Sequence, residues 1–170
     1  MPALPVSAIL LVGVLLFMLV ELQLSRFNER ALRAQGAVEP TGDIYEVMRI
    51  AYPAAFAAMA VEGAWHAGLQ REMVLAGLLL FGWAKALKFW AIATLGTRWT
   101  FRVLVPPAAP LVTGGPYRFL RHPNYVAVMG EIAAFAIALE APVAGTVAGL
   151  GFAWILFRRI RVEDHALGRG

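Results

Sequence analysis

Two short polar segments hold most of the groups in this chain that could do chemistry. The first is Gly114-Gly-Pro-Tyr-Arg-Phe-Leu-Arg-His-Pro-Asn-Tyr125. Proline is favoured at the first position of a helix, so Pro123 marks a helix start. His122, directly before it, is pushed out of the helical region. Its imidazole is expected at the mouth of that helix, beside the positive dipole end, where free N–H groups suit a carboxylate or phosphate. The same residues also fit a basic juxtamembrane loop whose rings, Tyr117, Phe119 and Tyr125, anchor at a lipid interface. The second segment is Arg158-Arg-Ile-Arg-Val-Glu-Asp-His165. Arg159 and Glu163 are four apart and share a helix face, as an exposed ion pair or as half of a site. Arg158 and Arg161 read as positive anchors at a membrane surface. Glu62, Lys85, Lys88 and Glu131 interrupt apolar stretches. Ionisable groups in such places are costly and usually functional. Glu62 is expected to pair with Lys85 or Lys88 across two helices. Asn124 and Glu131 are seven apart, so they point into a common interior, Glu131 as a structural or a pocket-lining group.

Other chemistries are excluded. The chain has no cysteine, hence no disulfide, thiolate metal site or cysteine nucleophile. His66, His122 and His165 lie far apart without metal-ligand spacing, and no metal is expected. No G-x-G-x-x-G, P-loop or G-x-S-x-G motif occurs.

The elements that must carry these residues are helices in lipid. Of 170 residues, 60% are hydrophobic and only 15% charged, and the mean hydropathy is +0.67. Soluble domains carry about 25% charged residues, and disorder would need more charge and less hydrophobicity. Five apolar stretches are predicted as spans: 1–20, 50–69, 73–95, 123–139 and 143–157. The first lacks the basic start of a signal peptide and reads as a retained anchor. The last two, roughly 25 and 22 Å long, form a hairpin whose second helix runs on past Phe157. Arginines cluster between spans one and two, between spans three and four, and at the C-terminus. These segments fall on one side, which predicts an outside N-terminus and a cytoplasmic C-terminus. The net charge of +4 and the pI near 10 thus reflect topology rather than a nucleic-acid partner. The long connection 96–122 contains Pro106-Pro107, Pro110 and Gly114-Gly115-Pro116, so it is turn-rich rather than a flexible linker. The expectation is one all-α membrane domain over 1–170. Three spans fill 1–95; a loop, the hairpin and a polar C-terminus fill 96–170.

Gly115-Pro-Tyr-Arg-Phe-Leu-Arg-His-Pro-Asn-Tyr125, one hairpin, and Arg159-Ile-Arg-Val-Glu-Asp-His-Ala-Leu167 together resemble the isoprenylcysteine carboxyl methyltransferase family. The likeness covers roughly Leu95 to Leu167. Glu21-Leu-Gln-Leu-Ser-Arg-Phe-Asn-Glu and Ala34-Gln-Gly-Ala-Val-Glu39 are similar to small bacterial members that methylate alkylpyrones. The resemblance implies an integral-membrane enzyme using S-adenosyl-L-methionine. It implies cofactor contacts from Ala109, Pro110, Leu111, Val112, Tyr117, His122, Pro123, Asn124, Tyr125 and Glu163, in a cytoplasmic pocket. Glu163 and Arg159 would be catalytic, Arg159 holding the acceptor's anionic oxygen. Asp164 stands where a second Glu is usual, and the sequence ends at Gly170 without the longer tail frequent in the family.

The leading expectation is an O-methyltransferase in a bacterial cytoplasmic membrane. Its acceptor would be lipophilic, an isoprenylcysteine-type carboxylate or, preferentially, an alkylpyrone or phenolic hydroxyl. Alternatives are an NADPH-dependent membrane reductase of similar helical pattern and a non-catalytic scaffold whose basic face holds anionic membrane lipids. The sequence sets no oligomeric state.

Overall fold

The computed structural model describes residues 5–66, 68–107 and 110–168. Five helices, α1 (Val6–Ala34), α2 (Tyr45–Ala64), α3 (Arg71–Leu95), α4 (Pro123–Ala138) and α5 (Pro142–Ala166), follow one another in the chain. Single 3-10 turns form at Gly96–Arg98 and Gly115–Arg118. Among the described residues the only β-pairing is one antiparallel bridge between Val38 and Val105. The protein is all-α. Three segments are long and apolar enough to cross a membrane: α1, Arg71–Arg98 and α5; α4 is apolar but shorter.

Each expected span is a helix, with bounds moved by local chemistry. α1 continues fourteen residues beyond Val20. Its buried stripe Ser7, Val14, Glu21, Ser25, Asn28 and Leu32 recurs at helical spacing, so polar residues keep packing where hydropathy ends. Gly36 stops it: at φ +81 it lets the Ala37 N–H reach the Leu32 carbonyl and its own N–H reach Arg33, the pairing that closes a helix end. α2 begins at Tyr45 rather than at position 50. α5 is 25 residues long because the polar stretch after Phe157 stays helical.

Small residues allow close helix approach, the packing mode expected where lipid removes the usual hydrophobic drive. A Cβ on Gly77 of α3 would lie 2.5 Å from the Ala138 Cβ and 2.6 Å from the Ala134 oxygen of α4. One on Gly145 would collide with Ala136, so α4 and α5 also pack tightly. Phe56, Met59, Ile132, Phe135, Leu139 and Phe152 form the main core between α2, α4 and α5.

The intramembrane charges pair otherwise than expected. Glu62 does not meet Lys85 or Lys88. Its two carboxylate oxygens accept the Val143 and Ala144 N–H groups at 3.0 and 2.6 Å, capping α5. Both lysines instead contact Glu21 and Glu131. Lys85 lies 2.6 and 3.1 Å from them, and Lys88 lies 2.9 and 3.0 Å away. Tyr52 donates to Glu131 at 2.6 Å. Two amines and two carboxylates cancel, which explains how four buried charges coexist in this interior. Glu131 is thus structural. The cluster ties α1, α2, α3 and α4.

Candidate functional site

At the arginine-rich end of the bundle, the loop after α3 is strapped to the rest of the chain by side chains rather than strands. Asn28 donates to the Trp99 carbonyl at 2.7 Å, and the Ser25 hydroxyl accepts the Phe101 N–H at 2.8 Å. Asp43 accepts the Val103 N–H at 2.8 Å and the Tyr45 N–H at 3.1 Å. Arg102 binds Glu39 at 2.7 Å and Glu46 at 2.5 Å. Farther on, Gly115 turns the chain at φ +54, against Thr94, where a Cβ would collide. The following 3-10 turn sets Tyr117 facing inward.

His122 precedes α4 in a non-helical conformation (φ −131, ψ 65), as the following proline requires. Its ring stacks on Tyr125 at 5.4 Å. Its Nδ1 lies 3.7 Å from Glu163 and its Nε2 3.2 Å from Asp164. The Glu163 carboxylate raises the histidine pKa above its ordinary value, burial opposes this, and Asp164 adds to the rise. Burial, followed by the charge of Glu163, likewise raises the Tyr117 phenol.

Arg159 and Glu163 do share a face of α5, yet they meet through a third group. The Tyr125 hydroxyl accepts from Arg159 Nε at 2.9 Å and donates to Glu163 at 2.6 Å. Arg159 is almost fully buried, and its remaining nitrogens are occupied too. Nη1 bonds Asp43 at 3.0 Å and approaches the Met48 sulfur at 3.4 Å, while Nη2 donates to the Phe101 carbonyl. A continuous line of polar groups therefore runs Asp43, Arg159, Tyr125, Glu163, His122, Asp164.

This line separates two cavities. One, of about 150 Å³, is the one richer in polar groups and lies against residues 98–106 and 110–112. Pro110, Leu111, Val112, Tyr117, His122, Asn124, Tyr125, Arg159 and Glu163 all line it, so nine of the expected site residues converge there. Pro123 does not: its ring is buried at the start of α4. Ala109 lies outside the described residues. Trp99, Arg98 and Arg121 join the lining, unanticipated from sequence. The other cavity, of about 380 Å³, is mainly apolar and lies between α1 (Leu15, Met18, Leu19, Leu22) and α2 (Met48, Tyr52, Pro53). Thr100, Asn124, Tyr125 and Arg159 line both.

Asp43 is the residue that sequence reasoning missed. It looks like an ordinary polar residue before a helix, and its partner Arg159 is 116 positions away. No local signal links them.

Comparison with known proteins agrees with the layout. The model of the isoprenylcysteine carboxyl methyltransferase (ICMT) family matches residues 75–169, which hold most of α3, all of α4 and α5, and every cleft-lining residue of the smaller cavity. The "Uncharacterized protein YpbQ" of Bacillus subtilis (strain 168) is 29% identical over 155 residues, covering 86% of this chain and 88% of its own. An "Uncharacterized protein" of Haemophilus influenzae is 25% identical over 147 residues, covering 86% of each. These names assign no acceptor. The family match spans more than half of the chain and includes the hairpin with its flanking histidine, tyrosine, arginine and glutamate. The chain belongs to the isoprenylcysteine carboxyl methyltransferase family of membrane methyltransferases, which use S-adenosylmethionine as methyl donor.

Proposed function

We propose that the protein is an S-adenosyl-L-methionine-dependent O-methyltransferase acting on a lipophilic acceptor at the membrane. The observation that carries this reading is the shared wall: a cleft lined by Arg98, Arg121, His122 and Glu163 and a mainly apolar cavity meet at Thr100, Asn124, Tyr125 and Arg159. A soluble cofactor and a lipid-borne acceptor can then arrive from opposite sides.

The residues present fit the cofactor. Tyr117 offers an aromatic face for an adenine. Arg98 and Arg121 have no carboxylate partner among the described residues and suit its carboxylate. Glu163 and Asp164 supply negative charge for a cationic group. When bound, the cofactor supplies an electrophilic methyl on a sulfonium. The chain's own contribution is positioning. Tyr125 and Arg159 hold the acceptor oxygen at the shared wall. Orientation of this kind is the main requirement for methyl transfer to an oxygen nucleophile.

The acceptor head is a carboxylate of the isoprenylcysteine type or an enol or phenol of the alkylpyrone type, its tail lying between α1 and α2. All five helices span a bacterial cytoplasmic membrane, with the site on the cytoplasmic side. Titration of detergent-purified protein with S-adenosylmethionine and NADPH tests the reading. Binding of the first is expected, and tight NADPH binding alone would overturn it. Arg159→Lys and Glu163→Asp keep the charge but break the geometry, so each should abolish turnover. A scaffold that merely holds anionic lipid would tolerate both.

A further inference from the structure

We propose that the outward face of α5 holds an anionic phospholipid, its phosphate between Arg158 and Arg161 and its acyl chains along the apolar stripe below them. This goes beyond the methyltransferase reading and does not depend on it.

The last turns of α5 have two sides. Arg159 and Glu163 turn inward to the cleft, whereas Arg158 and Arg161 are exposed. Three positions apart on a helix, these two are neighbours on one face. Neither forms an ion pair among the described residues. The carboxylates of the same segment are engaged on the inner side, Glu163 by Tyr125 and Asp164 beside His122. Each exposed guanidinium instead lies over the ring four residues before it. Arg158 Cζ is 5.4 Å from the Trp154 centroid, and Arg161 Cζ is 4.4 Å from that of Phe157. A ring covers the flat face of a guanidinium and leaves its N–H edge free. That edge is the part that pairs with two oxygens of a phosphate. Because stacking already restrains both side chains, less freedom is lost when they close on an anion.

The apolar part continues the same face. Val147, Leu150, Trp154 and Phe157 follow one another at intervals of three and four, and all are more than half exposed. A soluble anion would use the arginines and leave this stripe idle; a phospholipid uses both. Aromatic rings at the junction of apolar and basic residues suit the level of lipid headgroups. A second copy of the chain fits worse. A two-fold contact sets the same patch against itself, which would gather four arginines without a carboxylate between them.

Native mass spectrometry of the detergent-purified full chain tests this, with dimyristoyl phosphatidylglycerol and dimyristoyl phosphatidylcholine as probes of equal acyl length. The first phosphatidylglycerol should bind the wild type at least about tenfold more tightly than the first phosphatidylcholine. Arg158→Gln with Arg161→Gln should reduce that ratio to about twofold or less. Arg26→Gln with Arg30→Gln removes the same charge from exposed positions of α1 and should keep the ratio. Equal affinities in the wild type overturn the inference, as does an unchanged ratio in the folded α5 variant. An equal loss in the α1 variant overturns it too, because the preference then follows overall surface charge. So does a protein dimer that the α5 substitutions dissociate, which would assign the face to a second copy.

Discussion

Tyr125 shows at residue scale how the site is built, because one hydroxyl serves an arginine donor and a glutamate acceptor. Tyr125→Phe deletes both bonds and leaves the buried Arg159 and the half-buried Glu163 short of a partner. Each such loss typically costs about 1–3 kcal/mol. A lower melting temperature together with sharply reduced methyl transfer is expected, and an unchanged melt would show that water replaces the hydroxyl. His122 adds a pH signature. Its folded pKa is raised above the ordinary value near 6.5, so the stability its ion pairs contribute is fully present below about pH 6.5. That stability is lost as pH rises through the raised folded value. Melting curves across this window should fall with pH in the wild type. In His122→Gln this decline should vanish; its persistence would assign the effect to another group.

At element scale the helices depend on two different devices. α1 is tied to α3 by Glu21 and to the loop after α3 by Ser25 and Asn28, all in its second half. Glu21→Gln leaves the buried cluster with one negative charge against two positive ones. Breaking one partner of a buried ion pair costs about 3–5 kcal/mol, and loss of the folded protein from detergent extracts is the expected readout. The seam between α3 and α4 depends instead on missing atoms. Gly77→Ala puts a methyl where Ala138 and the Ala134 carbonyl already sit. Overpacking of this kind costs about 1–3 kcal/mol. Gly149→Ala, whose added Cβ would meet no neighbour within 4 Å, serves as the control and should leave the melt unchanged.

At the scale of the whole molecule, the arginine-bearing ends of the helices gather at one end of the bundle. Contacts such as Arg102 to Glu39 and Arg159 to Asp43 join segments remote in sequence. Topology can be read directly, because the chain contains no cysteine. A cysteine introduced at Arg71 should label from outside only, and one at Pro107 from the cytoplasmic side only. Labelling of position 71 from the cytoplasmic side alone would end the five-span arrangement.

Hydropathy and proline placement by themselves determined the all-helical membrane class, the start of α4 at Pro123 and the hairpin that returns α5 to His122. These are local properties: burying a backbone in lipid forces helix formation, and a proline acts on its immediate neighbours. The approach of Arg159 and Glu163 to His122 was also legible, since one short hairpin sets it, whereas Tyr117 and Tyr125 joined the expected site only through the family resemblance. Three features were decided only by tertiary structure. Glu62 caps α5 rather than pairing with a lysine, Glu21 balances Lys85 and Lys88, and Asp43 neutralises Arg159. Sequence shows that a buried charge needs a partner but not which one. Long side chains reach across several helices, and the choice falls to whichever carboxylate the packing brings within about 3 Å.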